Sequence, residues 1–208
     1  MNSFSAKDLC TRSCMQIKMF MMYPEKRPKP TQNMLEGVSF QEKISDSVRN
    51  VIDQEMVGEV YDGDDTIRFS IDIVTSNAFI EVKSVDKERE LPDWYRNSSL
   101  LQCAVYYALL QVSDGELHTA KFRCDQGFQR IDCHADKNNP YVLVFGEEKY
   151  LISLLDKQAI IDFVIKKKNA CLSWDEAKEF DKQYKQKEFE VLSKHFKYER
   201  IKDNLDSL

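Results

Sequence analysis

Glu81 and Lys83 stand two residues apart in AFIEVKSV (78–85), a segment rich in β-forming residues. On a strand that spacing puts both side chains on one face, with Ile80 and Val82 on the other. A carboxylate and an ammonium are costly to bury unless they pair or bind something. Asp72 sits in the preceding β-rich segment, TIRFSIDIV (66–74). Strict alternation places Ile71 and Ile73 on one face and Asp72 on the other. Thr75-Ser76-Asn77 turns the chain, so an antiparallel hairpin brings Asp72 across from or near Glu81. Two carboxylates that close repel, and the common remedy is a hard divalent cation held by oxygen. Mg²⁺ or Mn²⁺ there would neutralise a phosphate oxygen and lower the pKa of a bound water. Lys83 would orient or activate that water and stabilise the negative charge that develops. The chemistry this suits is phosphodiester hydrolysis.

Two helical segments add polar groups where core residues are expected. Ser98 to Gln111 (SSLLQCAVYYALLQ) is almost continuously apolar, with a serine available as its cap. Gln102 and Tyr106 are spaced i, i+4 on it, so they share one face. Leu35 to about Gln54 reads as an amphipathic helix. At about 100° per residue, Gly37, Phe40, Ile44, Val48, Val51 and Ile52 fall on one arc. Gln41 falls inside that arc, and Glu42 points away from it.

In order and spacing, Gly37-x-x-x-Gln41, Ser70-Ile71-Asp72, Glu81-Val82-Lys83 and Gln102-x-x-x-Tyr106 resemble the PD-(D/E)xK nuclease superfamily. More narrowly, residues 1–135 are similar to RecB/AddB-type nuclease domains and the related CRISPR-associated exonucleases. The resemblance implies an α/β/α, restriction-endonuclease-like fold with Asp72 and Glu81 as metal ligands and Val82 as a backbone carbonyl ligand. It implies Lys83 as the catalytic lysine, and Gln102 and Tyr106 positioning that lysine and the substrate phosphate. The position of Gln41 is usually a histidine ligand. An amide oxygen is a poorer, uncharged one, and Glu42 is the fallback. Pro92-Asp93 follows the ExK motif instead of preceding it, so it reads as a loop. The implied substrate is DNA, as single strands or ends, with a homo-oligomer or a larger nuclease–helicase complex as the assembly. A non-catalytic nucleic-acid-binding or assembly protein on the same fold is the alternative. A ribonuclease of the cap-snatching kind, with a similar D…ExK core, is a third reading.

The rest of the chain must position these groups. Its 208 residues suit one domain, or one domain with an appendage. The spacing predicts α+β, a mixed sheet flanked by helices. Residues 1–155 form the core, opened by a helix over 1–23 with Ser5 as its cap, and 156–208 a helical extension packed on it. Met56–Tyr61 reads as a short strand before the Asp62–Asp65 turn. Further hairpins are predicted over 117–124 with 128–135, and 141–145 with 149–155. Lys157–Lys168 and a longer helix from a capping box at Ser173 to about Lys202 complete the pattern.

Charge is uneven: 1–34 carries a net +4, 35–116 a net −10 and 117–208 a net +1. An acidic middle suits divalent cations, with phosphate-binding charge on the flanks. Lys26, Arg27, Lys29 and the run Lys166-Lys167-Lys168 are candidates for the phosphate backbone. Trp94 and Tyr95 could stack on unpaired bases or pack in the core. Met19–Tyr23 is too short a run for a signal peptide or a membrane span, so an intracellular chain with no membrane partner is expected. The cysteines then read as buried thiols. Cys10 and Cys14 precede the motifs, and Cys124, Cys133 and Cys171 are spread too widely after them for an iron–sulfur cluster. His118, His134 and His195 have no ligand spacing.

Overall fold

Two turns set the centre of the sheet. At the first, Gly63 takes the left-handed conformation (φ +59°) that a short connection needs. It folds β2 (Val51–Asp62) back on β3 (Asp65–Thr75). At the second, Thr75 Oγ1 accepts from the N–H groups of Asn77 and Ala78, a side-chain-stabilised turn. The chain returns as β4 (Phe79–Lys83), antiparallel to β3, with Ile73 opposite Ile80 and Val74 opposite Phe79. The computed structural model describes residues 2–29, 31–85, 92–112, 118–124, 127–128, 136–202 and 205, with backbone alone for 32–35, 118–124 and 127–128.

The described sheet has nine strands. β1 (Ser3–Ser5) lies parallel to β3, off the main path. β5 (His118–Cys124) and β6 (Gly127–Phe128) extend the β2 side. β7 (Tyr141–Phe145), β8 (Glu148–Leu154) and β9 (Phe196–Ile201) extend the β4 side. The order is β6-β5-β2-β3-β4-β7-β8-β9. β4 and β7 are parallel, joined through α4 (Asp93–Leu110), whereas the other neighbours on this path are antiparallel. A parallel pair needs such a crossover.

Helices cover both faces. α3 (Gln32–Ser47) lays Phe40 and Ile44 on Ile73, Ile80, Val82 and Val144. The opposite face carries the larger core, where α4 is buried along most of its length against Phe79, Leu143 and Phe145. α1 (Ala6–Thr11), α5 (Lys157–Ala170) and α7 (Glu188–Leu192) pack on α4, and α2 (Cys14–Met22) and α6 (Trp174–Tyr184) pack on each other and on α5. The fold is α+β, a mixed sheet between helices, as the sequence predicts. No helix among the described residues is long and apolar enough to cross a membrane.

Several boundaries differ from the expectation. The N-terminal helix is two, divided at Ser13, whose capping box with Gln16 starts α2 afresh. Ser5 does cap α1, accepting from Asp8. α3 stops at Ser47, and the chain turns at Asn50 (φ +56°). Val51 and Ile52 therefore open a twelve-residue β2, and Ile52 is exposed instead of lying on the helix's apolar face. α4 begins at Asp93, five residues before the expected serine cap. The expected helix to Lys202 breaks after Tyr184, with Gln186 at φ +68°, and gives way to α7 and then β9. Phe196 and Tyr198, within the span expected to be helical, are period-two strand residues opposite Leu154 and Ile152. The C-terminal part thus supplies a strand as well as helices. The 129–135 half of the second predicted hairpin, with Cys133 and His134, lies outside the described residues.

Candidate active site between the third and fourth strands

Continuing the β3–β4 register by one pair puts Asp72 opposite Glu81. The backbone ladder gives way there. Val82 N–H donates instead to the Asp72 carboxylate, to Oδ2 at 2.7 Å. In an extended strand a residue's N–H and C=O point the same way, so the Val82 carbonyl also faces the Asp72 side. The strand does not alternate strictly here. Ile67, Phe69 and Ile71 belong to the α4-side core, but Ile73 belongs to the α3-side one. The two isoleucines expected on one face are on opposite faces, and the change of face falls at Asp72. Its neighbour on β2 is Glu55, held at φ +55°, a conformation costly for a non-glycine residue.

Glu81 is 1 % exposed. Its Oε1 accepts from Lys83 Nζ at 2.5 Å and from Gln102 Nε2 at 2.7 Å. Its Oε2 has no partner among the described residues. A buried carboxylate oxygen left without a donor is expensive. Burial, then the charge of Glu81, push the Asp72 carboxyl up to about 7, against Lys83 and the Val82 N–H. Burial by itself lowers the pKa of the Lys83 ammonium. The charges of Glu81 and Asp72 outweigh it and hold the ammonium above its ordinary range.

Of the expected site residues, Asp72, Glu81, Lys83, Val82 and Gln102 come together. Gln41 stands at the edge, its Nε2 3.4 Å from the Asp72 backbone carbonyl. The amide nitrogen faces that carbonyl, so the amide oxygen is the end not spent on it. Glu42 is exposed, as the helical angle predicts. Tyr106 is in the core, its ring 5.7 Å from Phe69. Gln102, not Tyr106, makes the hydrogen bond to Glu81. Asp93 opens α4, pairs with Arg96 and is exposed, apart from the cluster.

Two further groups surround the cluster, and the sequence reading passed over both. Cys103 is buried beside Gln102, and burial followed by the charge of Glu81 keeps it a thiol. The hydroxyl of Tyr141 is fully buried without a partner among the described residues. Its parity with Leu143 and Phe145 on YVLVF, facing α4, was the available signal.

Two of the three lysines in the run are taken up inside the fold. Lys166 donates to the Tyr184 hydroxyl. Lys167 and Lys168 are buried, on Glu188 and on Asp62 with Asp65. Arg27 pairs with Asp8, and Lys26 lies over the Tyr23 ring. Cys10, Cys14, Cys103 and Cys171 are buried free thiols. Cys14 Sγ and the Cys171 N–H both meet the Lys167 carbonyl. His195 lies 3.7 Å from Asp156.

The donor types suit a hard divalent cation: the Asp72 carboxylate, the Glu81 carboxylate with its orphaned Oε2, and the Val82 carbonyl on the Asp72 side. Among the described residues no third acidic, imidazole or thiol group completes the set.

No family model matches the chain, and no curated protein does. It is similar to a solved structure titled "Crystal structure of SSO0001", at 15 % identity over 81 % of this chain and 76 % of that one, with a TM-score of 0.49. A likeness that loose carries no argument about activity.

Proposed function

We propose that the protein is a Mg²⁺- or Mn²⁺-dependent deoxyribonuclease, acting preferentially on single strands or ends. The observation that carries this reading is the unsatisfied Oε2 of Glu81 at the place where β3 and β4 part over Asp72. Asp72, Glu81 and the Val82 carbonyl would hold the ion, with Gln41 beside them. When bound, it supplies positive charge to a phosphate oxygen and acidifies a water. Lys83 stays an ammonium, anchored on Glu81, so its part is to stabilise charge on the phosphate and orient the water by donation, not to take a proton. Gln102 fixes Glu81, and through it Lys83, from the rigid α4. The parted strands give a backbone approach that an unbroken ladder would deny.

The test is cleavage of labelled single-stranded DNA with Mn²⁺, with and without EDTA. Asp72→Ala, Glu81→Ala and Lys83→Ala are each expected to abolish EDTA-sensitive cleavage while staying folded. Undiminished cleavage by all three would place the chemistry elsewhere. Gln41, an uncharged amide whose nitrogen faces the Asp72 carbonyl, favours one second reading, a non-catalytic nucleic-acid binder with a weakened metal site. A retarded but intact DNA band in Mn²⁺ would support that reading. Running RNA beside DNA separates the ribonuclease.

A further inference from the structure

Trp94 is 67 % exposed, the most exposed of the large apolar side chains described. Its ring stands edge-on against Tyr95, centroids 5.9 Å apart. Tyr95 packs in turn on Phe145 at 5.5 Å. Phe145 is the β7 partner of Lys83 in the parallel pair, so the two side chains share the α4 face. A chain of three rings therefore runs from beside the lysine to the surface. Its outer end is held by the first turn of α4, where the Tyr95 N–H bonds the Pro92 carbonyl. The Ser98 and Ser99 hydroxyls both donate to the Tyr95 carbonyl. The neighbouring groups are polar: Asp93 and Arg96 pair with each other, and Asn97 follows. A single flat ring in polar surroundings, on a packed aromatic base, does not suit the broad apolar patch of a protein partner. It suits an aromatic ligand with polar edges.

We propose that Trp94 is the stacking platform for an unpaired base of single-stranded DNA whose backbone passes Lys83. This rests on the nuclease reading of that site and adds what selects the strand. A base within a duplex is stacked on its neighbours and offers no free face, whereas an unpaired base does. Tyr95, paired with Trp94 in the sequence reading, is the support and not the platform.

The chain has two tryptophans, so Trp174→Phe leaves Trp94 as the sole indole. In EDTA, where cleavage cannot interfere, this variant is titrated with oligodeoxythymidylate, a DNA hairpin duplex of equal length and oligouridylate. Oligodeoxythymidylate is expected to quench the emission saturably, and the duplex to leave it unchanged. By anisotropy, Trp94→Ala should weaken oligodeoxythymidylate binding about tenfold, and Trp94→Phe should restore most of it. In Mn²⁺, Trp94→Ala should raise KM much more than it lowers kcat. Equal affinity of Trp94→Ala and wild type, equal quenching by duplex, quenching by oligouridylate alone, or no binding at all would each overturn the proposal. Stacking without Mn²⁺-dependent cleavage would sink the nuclease reading and keep this one. Cleavage with an unchanged KM in Trp94→Ala would do the reverse.

Discussion

Two buried lysine–glutamate pairs are built from the same parts and left in opposite states. Lys167 donates to both oxygens of Glu188, at 2.7 and 2.6 Å. That pair is closed: the carboxylate is saturated, and it ties α7 to α5. Lys83 engages only Oε1 of Glu81, and Gln102 shares that same oxygen. The other oxygen is left over, and a second acid, Asp72, stands opposite Glu81 in the strand register. Burial raises the Glu188 carboxyl, against Lys167, as it raises Asp72 beside the open pair, so burial alone does not separate the pairs. What separates them is whether the acceptors are used up. A saturated buried ion pair is an internal joint, and the unsaturated one beside another acid is what the proposed cation site rests on.

The largest effect expected follows from the closed pair. Lys167→Ala leaves the half-buried Glu188 without its partner and opens a gap where the fully buried lysine stood, and should cost about 3 kcal/mol in urea unfolding. Mn²⁺ should not recover that loss. A variant of near wild-type stability would remove the structural half of the comparison.

Asp72→Asn should act in the opposite direction. It keeps an oxygen for the Val82 N–H but deletes one of two repelling charges. At pH 8 without metal it should be more stable than wild type by about 1 kcal/mol. Its melting temperature should no longer rise with Mn²⁺.

The pH dependence sharpens the same point. The folded Asp72 carboxyl titrates near 7, above its ordinary 3.8. The folded state therefore holds a proton that the unfolded chain has released, and stability from this group is lost as pH rises from about 4 to about 7. Cation binding must expel that proton, so the Mn²⁺-induced melting shift should grow between pH 5.5 and 8. A shift independent of pH would mean that Asp72 is not a ligand. The smallest effect belongs to Gln41→Ala, expected to weaken Mn²⁺ binding only a few-fold, since Gln41 touches the site through one long contact.

Much of this site was legible because short-range rules fix it. The i, i+2 spacing of Glu81 and Lys83 and the turn at Thr75 dictate face and register with no tertiary information. The i, i+4 rule puts Gln102 and Tyr106 on one face of α4; Gln102 bonds Glu81, and the Tyr106 ring packs on Phe69 in the core. Alternation failed at Asp72 because the strand changes face there, and no local residue pattern announces it. The lysine run failed for a different reason. Three adjacent lysines look like a solvated helix end. Lys166 is exposed, as that reading expects, but the acidic partners of Lys167 and Lys168, Glu188, Asp62 and Asp65, come from distant parts of the chain and meet them only in the folded molecule. β9 was hidden because Phe189, Leu192 and Phe196 happen to keep helical spacing across a real break.

The most direct measurement is an electron paramagnetic resonance titration of Mn²⁺ into the intact protein at pH 8, beside Asp72→Asn and Glu81→Gln. One tightly held ion per wild-type chain, lost in both variants, is the result predicted. Equal binding in all three proteins, or none in the wild type, would contradict it.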